Sequence, residues 1–313
     1  MIRTILGLAL LYAHITPAAA QLLDHTSSFT QYNKAKYIKI NYDNDYFTAT
    51  DYYYSQGITL NLVLPALRRN ILNKLLYTTT PQHTQYGLAA SIYGHTPTSI
   101  ASDSILYGDR PYGANAAIKS YAIVWDTARQ RRIVTALTIG VMGPAAKGYE
   151  IQYGIHKWIG DELPKGWEYQ LKNAPIITYQ LNVEQRMLTK RYLQLNGAAE
   201  LRVGTQQNKY SLGANALIGQ HKPQGKKAAI YLYLQARANG ILYDAMLQGG
   251  VGTRNNAYTI AKHNVVPFTF GADAGIVLQF NGVQLTYSQS YLTKEFTTGL
   301  YHRWGGFRVG VGL

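Results

Sequence analysis

The sequence predicts an all-β fold, a transmembrane antiparallel up-and-down β-barrel of about twelve strands set in a bacterial outer membrane. Three observations carry this. The chain opens on an export leader, and no later apolar run is long enough to cross a bilayer as a helix. From about residue 35 onward, segments of roughly ten residues alternate apolar with polar or small side chains.

The leader has a short basic start at Arg3, an apolar stretch from Ile5 to Ile15 and a small-residue end at Ala18, Ala19 and Ala20, so residues 1–20 are expected to be cleaved before Gln21. A membrane anchor is the alternative, but His14 and Pro17 interrupt the run. The mature chain, residues 21–313, then reads as one outer-membrane barrel. It has no cysteine, which excludes disulfide stabilisation and thiol chemistry. Removing Arg3 with the leader leaves 29 basic residues against 16 acidic ones, a net charge of +13. That surplus either aids solubility or meets an anionic partner. The Lys and Arg are scattered and not gathered into one helix or arm, which argues against nucleic acid, and phosphorylated lipid head groups suit an exported chain better.

The strands follow in order. Ile38, Ile40 and Tyr42 alternate with Lys39, Asn41 and Asp43, and then Ile58, Leu60, Leu62 and Leu64 alternate with Gly57, Thr59, Asn61 and Val63. One parity suits lipid and the other a packed polar lumen. The pattern recurs near residues 84–94, 113–126, 130–142, 173–188, 190–205, 208–220, 226–248, 265–280, 281–293 and 299–313. Tyrosines 52, 53, 54, 231, 233 and 243 are expected at the lipid–water boundaries. The last strand sets Tyr301, Phe307, Val309, Val311 and Leu313 on one parity, so the chain ends on its lipid-facing set.

One segment breaks the strand period. From Tyr149 to Gly160, Ile151, Ile155, Trp158 and Ile159 stand at helical spacing, with Gln152 and His156 four apart on another face, between Pro144 and Gly148 on one side and Gly160 on the other. A short helix on a long excursion from the barrel is expected, and such excursions are often functional.

Two constellations carry chemistry. Asp43, Asn44 and Asp45 end the first strand, with Asp51 and Ser55 across the hairpin; carboxylates, an amide and a hydroxyl are hard oxygen ligands that suit calcium. From spacing alone a polar turn is the simpler reading. Asn44, however, falls on the lipid-facing parity, so it belongs at the membrane rim, where the strand leaves the bilayer or the amide meets a lipid head group. The second is His156, an imidazole able to accept a proton near neutral pH, although a lone histidine is more often a packing residue.

Taken in order, Asn44-Asp45, Tyr54-Ser55-x-Gly57, Tyr93 with Thr96-Pro97, Gly108-Asp109-Arg110-Pro111-Tyr112, Gly140-Val141-x-Gly143-Pro144, Gln152-x-x-x-His156 and Ile159-Gly160 followed by Trp167 resemble the outer-membrane lipid A 3′-O-deacylases. The resemblance implies a twelve-stranded barrel whose active site lies between the outer wall and a short helix, facing the leaflet that holds lipopolysaccharide. It also implies calcium-dependent removal of the 3′-linked acyl chain of lipid A. By motif, Asn44 and Asp45 match the family's asparagine–aspartate pair, His156 its catalytic histidine, Ser55 a position held by threonine in a relative, and Glu162 an acidic position that with Asp45 would serve the metal.

Two departures stand out. Residues 98–104 hold no lysine where the family can use one, and Ser55 has the opposite parity from Ile58 and Leu60, so it needs a bulge or acts through its backbone. The expected reaction has His156 withdrawing a proton from a water that attacks the acyl carbonyl. A Ser55 nucleophile ranks lower because no G-x-S-x-G elbow surrounds it. The main alternative is a non-enzymatic porin or adhesin barrel, with a barrel phospholipase behind it.

Overall fold

The computed structural model describes residues 32, 35–50, 52–80, 83–221 and 228–313; the expected leader and Asp51 lie outside the described residues. Twelve strands form the closed barrel: β1 (Tyr37–Asn44), β2 (Gln56–Val63), β3 (Thr84–His95), β4 (Gly113–Asp126), β5 (Arg131–Met142), β6 (Ala174–Thr189), β7 (Leu193–Gly204), β8 (Gln207–Gln220), β9 (Ala229–Asp244), β10 (Phe268–Phe280), β11 (Val283–Leu292) and β12 (His302–Gly312). Each pairs antiparallel with its sequence neighbours, and β1 closes on β12 with Tyr37 opposite Gly312 and Asn44 opposite Gly305. Closure leaves no open strand edge, which a bilayer could not satisfy.

The expected parity holds along the wall. Ile38, Ile40, Ile58, Leu60, Phe307, Val309 and Val311 are exposed outward, while Lys39, Asn41, Asp43, Thr59, Asn61 and Arg308 are buried in the lumen. Buried charge pairs line the lumen: Arg132 with Glu184 at 2.9 Å, Arg237 with Asp273 at 2.7 Å, Arg308 with Asp43 at 3.4 Å, and Glu200 with both Arg202 at 2.8 Å and Lys209 at 3.0 Å. Removing one partner from such a site leaves an uncompensated buried charge, at a cost of about 3–5 kcal/mol. Glu200→Gln is therefore expected to lower the urea midpoint of the folded barrel, read on gels that separate folded from unfolded chain, while a Gln289→Ala change on the outer wall leaves it in place.

The tyrosines divide differently from the expectation. Tyr53, Tyr54, Tyr231 and Tyr233 are all buried. Tyr231 and Tyr233 share parity with the buried Gln235 and Arg237, while Ile230, Leu232 and Leu234 face out, so these two hydroxyls belong to the polar lumen. The outward tyrosines include Tyr179, Tyr210, Tyr291 and Tyr301. Strand ends also shift. The run expected to 248 stops at Asp244, whose side chain accepts from the Met246 amide and starts a short helical turn, Ala245–Gln248.

β1 begins and β12 ends at one end of the barrel. The opposite end carries most of the long connections, residues 45–55, 96–112, 143–173, 245–267 and 293–301, while the first end has one, residues 64–83; on barrels of this kind the longer loops are extracellular.

Candidate active site

The excursion after β5 builds the first half of the site. Gly143 takes φ +90°, where a Cβ would lie 2.6 Å from the Lys172 backbone, and Pro144 opens a single 3₁₀ turn. Helix α1 follows, Gly148–Ile159. A Cβ at Gly148 would stand 2.4 Å from the Ala114 Cβ and 2.7 Å from the Trp167 ring, so glycine lets the start of α1 lie directly on the outer wall at β4. One turn on, buried Gln152 accepts from Trp167 Nε1 at 2.7 Å. The next turn on that face brings His156. The expected helix is thus present, and its Gln152–His156 face is the one turned to the wall. Tyr149, near the start of the helix, and Trp158 and Ile159, at its end, are exposed.

The end of α1 positions the imidazole. Gly160 adopts the left-handed conformation at φ +74°, and the Asp161 amide bonds the His156 carbonyl at 2.9 Å. The chain folds back so that His156 Nδ1 meets the Glu162 carbonyl oxygen at 2.7 Å. A carbonyl only accepts, so Nδ1 carries the proton and Nε2 presents its lone pair. Asp161 Oδ2, 3.7 Å from Nδ1, adds a negative charge beside the ring.

The second half lies at the loop end of β1. Asn44 caps the 3₁₀ turn Asp45–Thr48, its Oδ1 accepting from the Tyr46 amide at 2.8 Å and its Nδ2 donating to the Tyr42 hydroxyl at 3.1 Å. One amide N–H of Asn44 remains for a ligand. Tyr42, the partner that holds this amide, carried no sequence signal beyond its parity. Asp45 is buried, and its carbonyl takes the Thr48 hydroxyl at 2.9 Å and the Thr50 hydroxyl at 3.3 Å. Ser55 precedes β2 and is buried, its hydroxyl 2.7 Å from that of Thr96, so no bulge in β2 is needed to place it.

The structure therefore brings His156 and the Glu162 backbone together and keeps Asn44 and Asp45 together on the β1 loop. Helix α1 contacts β3 and β4. With about 4.8 Å between neighbouring strands, about 10 Å of wall separates β1 from β3. The carboxylate of Glu162 is exposed, and no cluster of three or more His, Asp or Glu side chains suited to a cation occurs among the described residues.

The Gly108–Tyr112 motif ties these halves to the barrel. Asp109 Oδ2 accepts from the Thr98 amide at 2.9 Å, Arg110 reaches into the lumen to pair with buried Glu295, and Tyr112 packs on Trp167 with ring centroids 5.1 Å apart. Glu295, 185 residues away, is a partner that no local pattern announces. Burial outweighs the guanidinium and pushes the Glu295 carboxyl up to about 7. An acid whose folded value is raised binds its proton more tightly folded than unfolded, so its contribution to stability is greatest below the unfolded value and declines as pH rises toward 7. Thermal midpoints are expected to fall between about pH 4.5 and 7 through this group, and Glu295→Gln is expected to flatten that slope. Residues 98–104 contain no lysine, but the Lys165 amide bonds the Ile100 carbonyl at 2.8 Å, which sets an exposed lysine against this stretch.

The model of the family described as outer membrane protein LpxR matches residues 5–313. The chain belongs to this family. As an LpxR family member it is a lipid A deacylase of the bacterial outer membrane. LpxR from Salmonella typhimurium superposes with a TM-score of 0.73 at 16% identity, over 88% of this chain and 100% of that one. The β domain of the Bordetella autotransporter BrkA gives 0.47 at 9% identity, over 90% and 100%, and the KdgM porin gives 0.41 at 5%, over 88% and 99%. No curated protein matches the chain by sequence.

Proposed function

We propose that this LpxR family member hydrolyses the 3′-linked acyl ester of lipid A in the outer leaflet, in a calcium-dependent reaction. The observation that carries the reading is His156: Nδ1 is engaged by the Glu162 carbonyl, and the ring sits on the same face of α1 that Gly148 and Gln152 turn to the wall. Nε2 accepts a proton from water, the water oxygen bonds to the acyl carbon, and the imidazolium returns the proton to the departing sugar oxygen as the ester C–O bond breaks. The products are a free fatty acid and a 3′-hydroxyl. Asn44 has a spare amide N–H for the developing oxyanion. The Ser55 hydroxyl is hydrogen-bonded to that of Thr96, which supports a positioning role.

The donor set on the β1 loop is all oxygen, the Asp45 carboxylate, the Asp45 backbone carbonyl and the Thr48 and Thr50 hydroxyls that donate to that carbonyl, and this chemistry suits calcium. Asp45 is the residue that would hold it there; Glu162 lies with His156 at the end of α1, apart from that loop. When bound, calcium polarises an acyl carbonyl. Exposed Lys165 is placed to meet a lipid A phosphate. The buried ion pairs in the lumen speak against the porin alternative.

The test is mass spectrometry of lipid A from cells producing the wild type or Asp45→Asn, with calorimetric titration of calcium into both purified proteins. The proposal expects loss of one acyl chain with the wild type only, and calcium binding weakened in the variant. Unchanged calcium binding in Asp45→Asn would remove that residue from the metal site, and full activity under chelation would remove calcium from the reaction.

A further inference from the structure

Residues 64–83 link β2 to β3 at the end of the barrel where β1 begins and β12 ends. That connection has 20 residues, where the others at this end have two to eight. Within it run two 3₁₀ helices, Pro65–Arg69 and Ile71–Leu75. A 3₁₀ helix repeats every three residues, and Leu67, Asn70, Asn73 and Leu76 accordingly share the face turned to the barrel. Asn70 Nδ2 donates to Ser120 Oγ at 3.1 Å, Ser120 Oγ donates to Asn73 Oδ1 at 3.0 Å, and the Tyr77 amide donates to Thr135 Oγ1 at 3.0 Å. Leu76 packs with Tyr86, Ala122 and Leu137.

Those wall residues stand on the lipid-facing parity: Ser120 and Ala122 follow exposed Ile118, and Thr135 and Leu137 precede exposed Ile139. The segment therefore lies on the outside of the barrel, seated by polar residues that the wall carries where lipid would otherwise reject them. Its free face is two-natured. Ile71 is 71% exposed and Leu75 63%, with Tyr77 beside them, and Arg68, Arg69 and Lys74 are exposed among them. Residues 64–83 hold no acid at all.

We infer that residues 65–77 form a docking surface for anionic phospholipids of the periplasmic leaflet. Ile71, Leu75 and Tyr77 enter the upper acyl layer, and Arg68, Arg69 and Lys74 hold head-group phosphates. The medium outside the wall is lipid, this end is the periplasmic one, and an all-basic rim around apolar tips matches an anionic bilayer surface. The inference concerns the leaflet opposite the proposed active site and does not depend on the reaction.

The test uses the full protein in vesicles of phosphatidylglycerol mixed with phosphatidylcholine, and native mass spectrometry of the lipids it retains. The wild type is expected to retain phosphatidylglycerol preferentially, at about fivefold for each basic side chain. The Arg68→Gln/Arg69→Gln/Lys74→Gln variant is expected to lose that preference while remaining a folded barrel by its heat-shifted mobility on gels. Equal retention of both lipids by the wild type would overturn the inference. Because the chain has no cysteine, a fluorophore on Leu75→Cys reports one site. Quenching by lipids brominated high in the acyl chain is expected; quenching by aqueous iodide, or protection from both by a bound protein, would overturn it.

Discussion

His156→Ala is expected to reduce the rate of lipid A deacylation by about 10²–10⁴-fold, the usual contribution of a positioned general base, with the barrel folded as before. The side chain lies at the end of an external helix and supports no lumen pair, so its loss leaves the barrel's charge network intact. Its ring contacts are the Glu162 carbonyl and the Asp161 carboxylate, both on the same short turn. A pH–rate profile gives the second readout. The pH dependence of kcat/KM is expected to differ between the wild type and the residual activity of His156→Ala, which lacks the general base. A variant with wild-type rates would assign the base elsewhere.

Gly148→Leu is expected to cost about 10²-fold in activity, although the residue is two helical turns from the imidazole, because even about 1 Å of displacement at a reacting group has that effect. Its Cβ would meet the Ala114 methyl, which is fixed to β4, and the Trp167 ring, which already donates to Gln152. The start of α1 must lift, and His156 moves with it. Gly154→Ala is the control. Nothing lies within 4 Å of a Cβ there, so that variant keeps its activity and gains helix propensity. Equal losses in both would show that glycine content, and not the seat of α1 on the wall, governs the rate.

Much of this was legible before any coordinates. A lipid face and a lumen face alternate at period two, so Ile38, Ile40 and Tyr42 against Lys39, Asn41 and Asp43 already assign both sides of β1. The glycines and Pro144 around α1 marked a helix because strands have no use for them in that order. The tyrosines misled because an aromatic with a polar tip suits a membrane boundary and a wet lumen equally; parity alone decides Tyr231 and Tyr233.

The site was legible as an order of motifs, not as contacts. The group that sets the His156 tautomer is a backbone carbonyl, which has no sequence signature. Arg110 finds Glu295 across the fold. The segment 65–77 escaped notice because a period of three matches neither a strand nor an α-helix.

The most direct test of the central claim takes purified protein with lipid A and calcium, follows the mass, and fragments the product to locate the missing chain. The account predicts loss of one acyl chain from the 3′ position by the wild type and none by His156→Ala. An unchanged lipid A mass with the wild type, or loss from another position, would contradict it.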